Sequence, residues 1–257
     1  MITKQQVSDL RALQQKKVRR ETGLFTAEGV KIVQELLGSS LRVRQIFALQ
    51  SWLETNRGLL KNVDNFSVSP AELERISGLV TPNEVLAVCE IPAYTLDSEK
   101  LPAQLTLALD DIRDPGNLGT IIRIADWFGI PDIICSASTA EAWNPKTVQS
   151  SMGSIARVRI HYKPLPEFLR ELRTEHPALP ICGALLEGEN VYTEKLQPNG
   201  ILVIGNEAHG ISPEAEKELT QRLRIPSFST VEGKAGEAES LNAAVATAIF
   251  CSEFRRR

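Results

Sequence analysis

Apolar positions along this chain follow two periods, every second residue in some stretches and every third or fourth in others, the signatures of strands and helices. From Ser8 the spacing predicts a helix that passes through Leu10 and Leu13 and ends in the basic run KKVRR, residues 16–20. Leu24 and Phe25 read as extended. From about Glu28 the stripe Val30, Val33, Leu36 and Leu37 predicts a helix, and Gly38 supplies its stop. QIFALQ (45–50) and VLAVCEI (85–91) read as strands, and Ser69 followed by Pro70 starts a short helix between them, a capping hydroxyl before a residue whose φ suits the first turn.

The stretch 91–104, IPAYTLDSEKLPAQ, breaks this pattern with two prolines and several polar residues, so a linker is placed at 96–104 between domains 1–95 and 105–257. Beyond it, Leu105, Leu107 and Leu109 predict a strand, DPGN a turn, and Ile121, Ile124, Ala125 and Phe128 a helix packed on a sheet. Arg123 leaves that stripe. Read as close to the positive end of the helix, where the dipole disfavours a cation, it suggests a bound anion. DIICSAS (132–138) is the next strand, and NPKTVQSSMGSIARVRIHY (144–162) a helix with small residues leading into another strand. ICGALLEGE (181–189) is a strand whose end carries Leu185. Two further strands end at Gly205 and at Ile225 and Pro226, with a short helix begun by Ser212 and Pro213 between them, and a terminal helix begins at Ser240, Leu241 and Asn242. Two polar strand ends and a polar helix start form a ligand site built from loops in an α/β fold.

Charge and composition narrow the classes. No apolar run approaches the roughly 18 to 20 residues that span a bilayer, and MITKQQVSDL lacks the apolar core of a signal peptide, which places the chain in the cytoplasm. Cys89, Cys135, Cys182 and Cys251 lie far apart, with no CxxC pair or histidine at ligand spacing, so reduced buried thiols and no metal are expected. The net charge of -3 argues against indiscriminate nucleic-acid binding, yet residues 1–20 carry six Lys or Arg against one acid, Asp9. Lys16, Lys17, Arg19 and Arg20 are therefore a candidate phosphate-contacting patch, with a solvated helix face as the even alternative. The closing RRR reads as a solvated tail.

Three segments together resemble the SpoU, or TrmH-type, RNA ribose methyltransferases of the SPOUT class. They are DPGNLGTIIRIADWFG with Asn117, Gly119 and Arg123; VIGNEAHGIS with Gly205, Asn206 and Glu207; and Ile225 and Pro226 followed by Ser240, Leu241 and Asn242 in ESLNAAVA. NPKTVQSSMGS is also similar to a family segment, so the resemblance covers about 105–257. KKVRRETGLFTAEGVKIVQELL more loosely resembles the small α/β, ribosomal-protein-L30e-like substrate-binding domain often fused in front. The resemblance implies a parallel-sheet catalytic domain with a C-terminal trefoil knot, an S-adenosylmethionine cofactor, a homodimer, and methyl transfer to a ribose 2'-hydroxyl of rRNA in preference to tRNA.

By the same resemblance, Asn117, Arg123, Glu207, Ser240 and Asn242 carry the chemistry, and Leu185, Gly205, Asn206, Ile225, Pro226 and Leu241 contact the cofactor. A guanidinium stays protonated, so Arg123 is read as a clamp on an RNA phosphate, and Glu207 as an orienter ahead of a general base. The chain departs from the family at Ala208, where Gly is common and positive φ would strain an alanine, and in a longer loop at 227–239. A non-catalytic RNA-binding or assembly protein on the same scaffold is the alternative. A nucleotide-dependent oxidoreductase is disfavoured, since no GxGxxG follows a strand and no GxxxxGK[ST] loop exists.

Overall fold

The computed structural model describes residues 2–228 and 240–256. Most of the longer loop at 227–239 thus lies outside the described residues. The chain divides into two compact units, one of residues 1–93 with 141–157, the other of 94–140 with 158–257.

The first unit opens with α1 (Lys4–Ala12), whose cap Thr3 exchanges hydrogen bonds with Gln6, and α2 (Lys16–Thr22). The single helix expected from Ser8 to Arg20 is therefore broken. The break has a cause: the Arg19 guanidinium turns inward and donates to the carbonyls of Leu13 and Gln14, both at 2.8 Å, which a continuous helix would have used itself. β1 (Leu24–Glu28) and α3 (Val30–Leu37) follow. Glu28 ends the strand instead of starting the helix, because Gly29 at φ 105° redirects the chain and the Glu28 carboxylate is taken up by Ser77 Oγ and the Gly78 amide. β2 (Val43–Ala48), α4 (Gln50–Thr55), β3 (Asp64–Ser67), α5 (Pro70–Ile76) and β4 (Val85–Glu90) complete a sheet in the order β1-β4-β2-β3. Ser69 and Glu72 form the reciprocal cap of α5 that Ser-Pro announces.

The second unit is a six-stranded, wholly parallel sheet. It begins with β5 (Leu105–Leu109) and α6 (Pro115–Trp127). DPGN is a helix start and not a turn: Asp114 caps the Asn117 amide at 2.8 Å and Pro115 takes the first helical position. After β6 (Asp132–Cys135) the chain contributes α7 (Pro145–Ser151) to the first unit, where Thr147, Val148 and Ser151 are buried and Trp143 tilts against Phe25. Compactness therefore divides the chain discontinuously, with 141–157 grouped with 1–93. β7 (Arg159–Tyr162), α8 (Leu165–Glu175), β8 (Ile181–Asn190), β9 (Gly200–Ile204), α9 (Pro213–Glu216), β10 (Gln221–Arg224) and α10 (Ala243–Arg255) follow.

The strand order β10-β8-β9-β5-β6-β7 puts β5 and β9 side by side, while the chain leaves β5 towards β6 on one side and β9 towards β10 on the other. Loops that depart in opposite directions open a crevice at the carboxyl ends of such a pair. Both strands are buried throughout, as a sheet covered on two faces requires. At the opposite, amino end, Asp132 accepts from Arg159, His161 and Gln104 at 2.6 to 3.0 Å. Burial alone would raise its pKa, but these hydrogen bonds and the Arg159 charge outweigh burial and hold Asp132 well below the usual carboxylate range. The four cysteines are free and buried, and burial pushes the Cys182 and Cys251 thiols up to about 12. The basic tail is partly docked: Arg255 donates to the carbonyls of Phe128 and Gly129.

Candidate active site

Register places the site. Leu109 and Ala184 both pair with Ile204, so Asp110, Leu185 and Gly205 are the next residues at one level, along the carboxyl edge of the sheet. Asp110 accepts from the Ser212 amide at 2.8 Å and ties the β5 loop to the β9 loop. Asp111 stands at φ 59°, a left-handed conformation that costs a non-glycine on the order of 1 to 2 kcal/mol. It is held there by Ser136 Oγ, which accepts its amide, and by Asn206 Nδ2, which donates to its carbonyl at 2.9 Å. Asp111 in turn fixes the exposed Arg113, both its Nε and Nη2 at 2.9 Å. Asp110 and Asp111 are not among the expected site residues, the expected turn being DPGN at 114–117; two consecutive acids directly after a buried strand are the available signal.

The β9 loop folds back on itself. Asn206 and Gly210 exchange backbone hydrogen bonds at 3.0 and 2.8 Å, and Asn206 Oδ1 accepts the amides of Ala208 and His209. A Cβ on Gly205 would lie 2.3 Å from the Gly210 carbonyl carbon. The glycine is thus required by the loop's own closure. The non-glycine residues at positive φ, among those described, are Asp111 and Met152, so Ala208 carries no such strain.

Glu207 connects three segments distant in sequence. Asn117, in the first turn of α6, donates from Nδ2 to Glu207 Oε1 at 2.5 Å; Asn242 Nδ2 donates to Asn117 Oδ1 at 3.0 Å; and Asn242 Oδ1 accepts the amides of Ala244 and Val245. The chemistry of the ends fixes the direction of this chain. A carboxylate only accepts and a helix amide only donates, so each asparagine has one workable orientation between them. The Ala243 amide also approaches Glu207 Oε1 at 3.4 Å, and Ser240 Oγ approaches the Glu207 carbonyl at 3.4 Å. Asn242, not Ser240, caps α10. The carboxylate sits by the first turns of two helices, where their dipoles favour negative charge.

Asn117, Glu207, Ser240 and Asn242 are thus brought together, and Arg123 stands apart from them. It lies eight residues beyond Pro115, roughly 12 Å along α6, so the expectation that it sits near the helix's positive end is corrected. It is exposed and makes no hydrogen bond or ion pair among the described residues. Leu185 is partly buried against the core, Ile225 and Pro226 are half-buried just past β10, and Leu241 is 45 % exposed. In the first unit Lys16, Lys17 and Arg20 are exposed, with Lys17 loosely paired to Glu21 at 3.9 Å. Arg19 must be struck from the basic patch. It is 1 % exposed and pairs with Glu141 at 2.7 Å, leaving it no access to an RNA phosphate.

The SpoU rRNA Methylase family matches residues 104–252, and the MRM3-like substrate binding domain matches residues 4–87. The 23S rRNA (guanosine(2553)-2'-O)-methyltransferase RlmP of Bacillus subtilis (strain 168) is 33 % identical, across 98 % of this chain and 96 % of its own length. Among solved structures, a TrmH-family protein from Porphyromonas gingivalis superposes with a TM-score of 0.85 at 36 % identity, covering 100 % of this chain and 99 % of that one. An AdoMet-bound rRNA methyltransferase from Sinorhizobium meliloti does so with a TM-score of 0.85 at 31 % identity, covering 100 % and 96 %.

Proposed function

The chain belongs to the SpoU rRNA methylase family, and we propose that it transfers a methyl group from S-adenosylmethionine to a ribose 2'-hydroxyl of 23S-type rRNA. The observation that carries the reading is the Glu207–Asn117–Asn242 chain, assembled at the carboxyl ends of β5 and β9 from residues that otherwise have no reason to meet. The partly exposed apolar surfaces of Leu185, which lies within β8 and not at its end, of Ile225 and Pro226 past β10, and of Leu241 before α10 fit a nucleoside cofactor, with Gly205 and Asn206 shaping the loop beside it. Bound there, S-adenosylmethionine supplies a methyl group on a positively charged sulfur, open to in-line displacement by a hydroxyl oxygen.

The protein's own groups then position and stabilise. Glu207, with Oε1 committed to Asn117, orients that amide, and the hydroxyl proton passes to solvent water as the oxygen–carbon bond forms and the sulfur–carbon bond breaks. Asn117 and Asn242, fixed in direction, align the ribose, and Ser240 completes the polar wall. Arg123, an exposed guanidinium without a partner among the described residues, holds an RNA phosphate and stabilises charge on the attacking oxygen. The first unit carries the RNA through Lys16, Lys17 and Arg20. The functional protein is a cytoplasmic homodimer with a knotted C-terminal segment; exposed Trp127 on α6 and Val245 on α10 favour self-association. Incubation with methyl-labelled cofactor and unmodified 23S rRNA tests the reading, with label expected on a ribose oxygen. Bound cofactor without labelled RNA would sink it.

A further inference from the structure

The first unit holds a cleft of about 480 Å³ that neither the basic run nor the methyl-transfer site accounts for. Its wall is α4, through Gln50 and Glu54; its floor is β3, through Asn65 and Ser67; its end is closed by Arg57 and Lys61 from the segment between them. The floor follows from strand geometry. Phe66 turns inward and stacks on Phe47 with centroids 4.9 Å apart, so its neighbours Asn65 and Ser67 face the other way. β3 is also an edge strand, paired only with β2, so one row of its backbone donors and acceptors is unspent by the sheet.

The charges in this cleft are available. Arg57 and Lys61 are exposed and their side chains make no hydrogen bond or ion pair among the described residues, whereas the lining acid, Glu54, is engaged by Gln50 Nε2 at 2.8 Å. Two other sites compare poorly. In KKVRR, Arg19 is buried and Lys17 has Glu21 nearby; in a second cleft of similar size beside α3, Arg157 is paired with Glu35 at 2.5 Å.

We infer that the α4–β3 cleft is an RNA backbone-binding site, in which Arg57 and Lys61 take phosphates while Gln50, Asn65 and Ser67 hydrogen-bond the sugar-phosphate chain. The inference rests on RNA being the substrate. Among the described residues no aromatic side chain lines the cleft, so it offers no stacking platform for bases, and an open, cationic concavity that is mostly polar, with Leu53 and Leu60 as its apolar part, suits phosphate and ribose. Such contacts position an RNA without reading its sequence.

The test is equilibrium binding of the full chain to a 23S rRNA fragment at 50 and 200 mM salt, with wild type and R57Q/K61Q. Each phosphate contact contributes a salt slope of about 0.7 to 0.9, so removing two shrinks the fourfold-salt drop in affinity by roughly seven- to twelvefold. The variant is expected to bind more weakly across unrelated sequences, with S-adenosylmethionine binding and the melting temperature unchanged. A second variant, N65D/S67D, places negative charge on the floor and is expected to weaken RNA binding equally. Unchanged affinity and slope in both variants would overturn the inference. So would normal binding to naked RNA with methylation lost only on ribosomal particles, which would make the cleft a protein-docking site. Wild type that methylates no RNA, yet shows the salt-dependent loss in the variants, would sink the enzymatic reading and leave the cleft standing.

Discussion

Replacing Asn117 probes whether the Glu207–Asn117–Asn242 chain works through the direction of its hydrogen bonds. Asn117→Ala removes a bond to a charged acceptor, about 1.5 to 3 kcal/mol, and a neutral one, about 0.5 to 1.5 kcal/mol. The site is only part-buried, so the low ends apply, and roughly 2 kcal/mol of lost positioning lowers kcat/KM about thirtyfold. Asn117→Asp is the sharper probe, because it keeps the shape and reverses a donor. Two carboxylates would then face each other across what is now 2.5 Å, where Coulomb repulsion is roughly 2 to 7 kcal/mol between bulk-water and near-surface screening. One of the pair would retain a proton to higher pH, and that shared proton would restore the donor towards Glu207. Methyl transfer by Asn117→Asp is therefore expected to be best at low pH and to fall as pH rises, a limb absent from wild type and from Asn117→Ala. The assay is single-turnover transfer to rRNA from pH 5.5 to 9, with cofactor affinity measured in parallel. An Asn117→Asp profile superimposable on wild type, or Asn117→Ala within threefold of it, would refute the reasoning.

Other perturbations separate structural from chemical roles. Gly205→Ala sets a Cβ 2.3 Å from the Gly210 carbonyl carbon, so the β9 loop must move; cofactor affinity is expected to fall at least tenfold by calorimetry, and wild-type affinity would contradict the assignment. Arg19→Ala strands Glu141 and two helix-end carbonyls, and denaturant unfolding should show a loss of about 3 to 5 kcal/mol, against the near-zero change expected of a surface cation. Asp132 has a folded pKa below its unfolded value near 3.9, so its contribution is fully present above that pH and disappears as pH falls through the folded value. The stability gap between wild type and Asp132→Asn should accordingly shrink as pH falls below 4. A gap at pH 2 undiminished from its value at pH 5 would mean the ionised carboxylate is not its source.

Much of the second unit was legible because burial on both faces writes continuous apolar runs. LTLAL and ILVI could be strands of a covered sheet and little else. What escaped was structure carried by single contacts. β3 buries one side chain in part, so Asp64–Ser67 shows no period, and α4 is too short to repeat one. α8 is not among the expected elements, although Leu165, Leu169 and Leu172 mark its buried face. The break between α1 and α2 depends on an arginine that turns inward, and nothing in KKVRR tells Arg19 from its neighbours. Its partner Glu141 is 122 residues away, in a segment that sequence alone assigns to the other unit.

The site was legible in another sense. Residue types at strand ends and helix starts pointed to Asn117, Glu207 and Asn242, but composition could not say that they bond to one another, nor in which direction. Direction comes from the termini of the chain of contacts, a carboxylate at one end and the amides of α10 at the other. Once those are in place, neither asparagine can be replaced by aspartate without leaving two acceptors face to face. Arg123 has no such constraint. Its guanidinium is not held by any described residue, so on the proposed reading its orientation is set by the RNA phosphate it meets and its contribution belongs to that complex rather than to the folded chain. Asn117→Ala should therefore alter the melting temperature as well as the rate, while Arg123→Ala should slow transfer at unchanged stability. Equal destabilisation by the two substitutions would place Arg123 in the scaffold and remove it from the reaction.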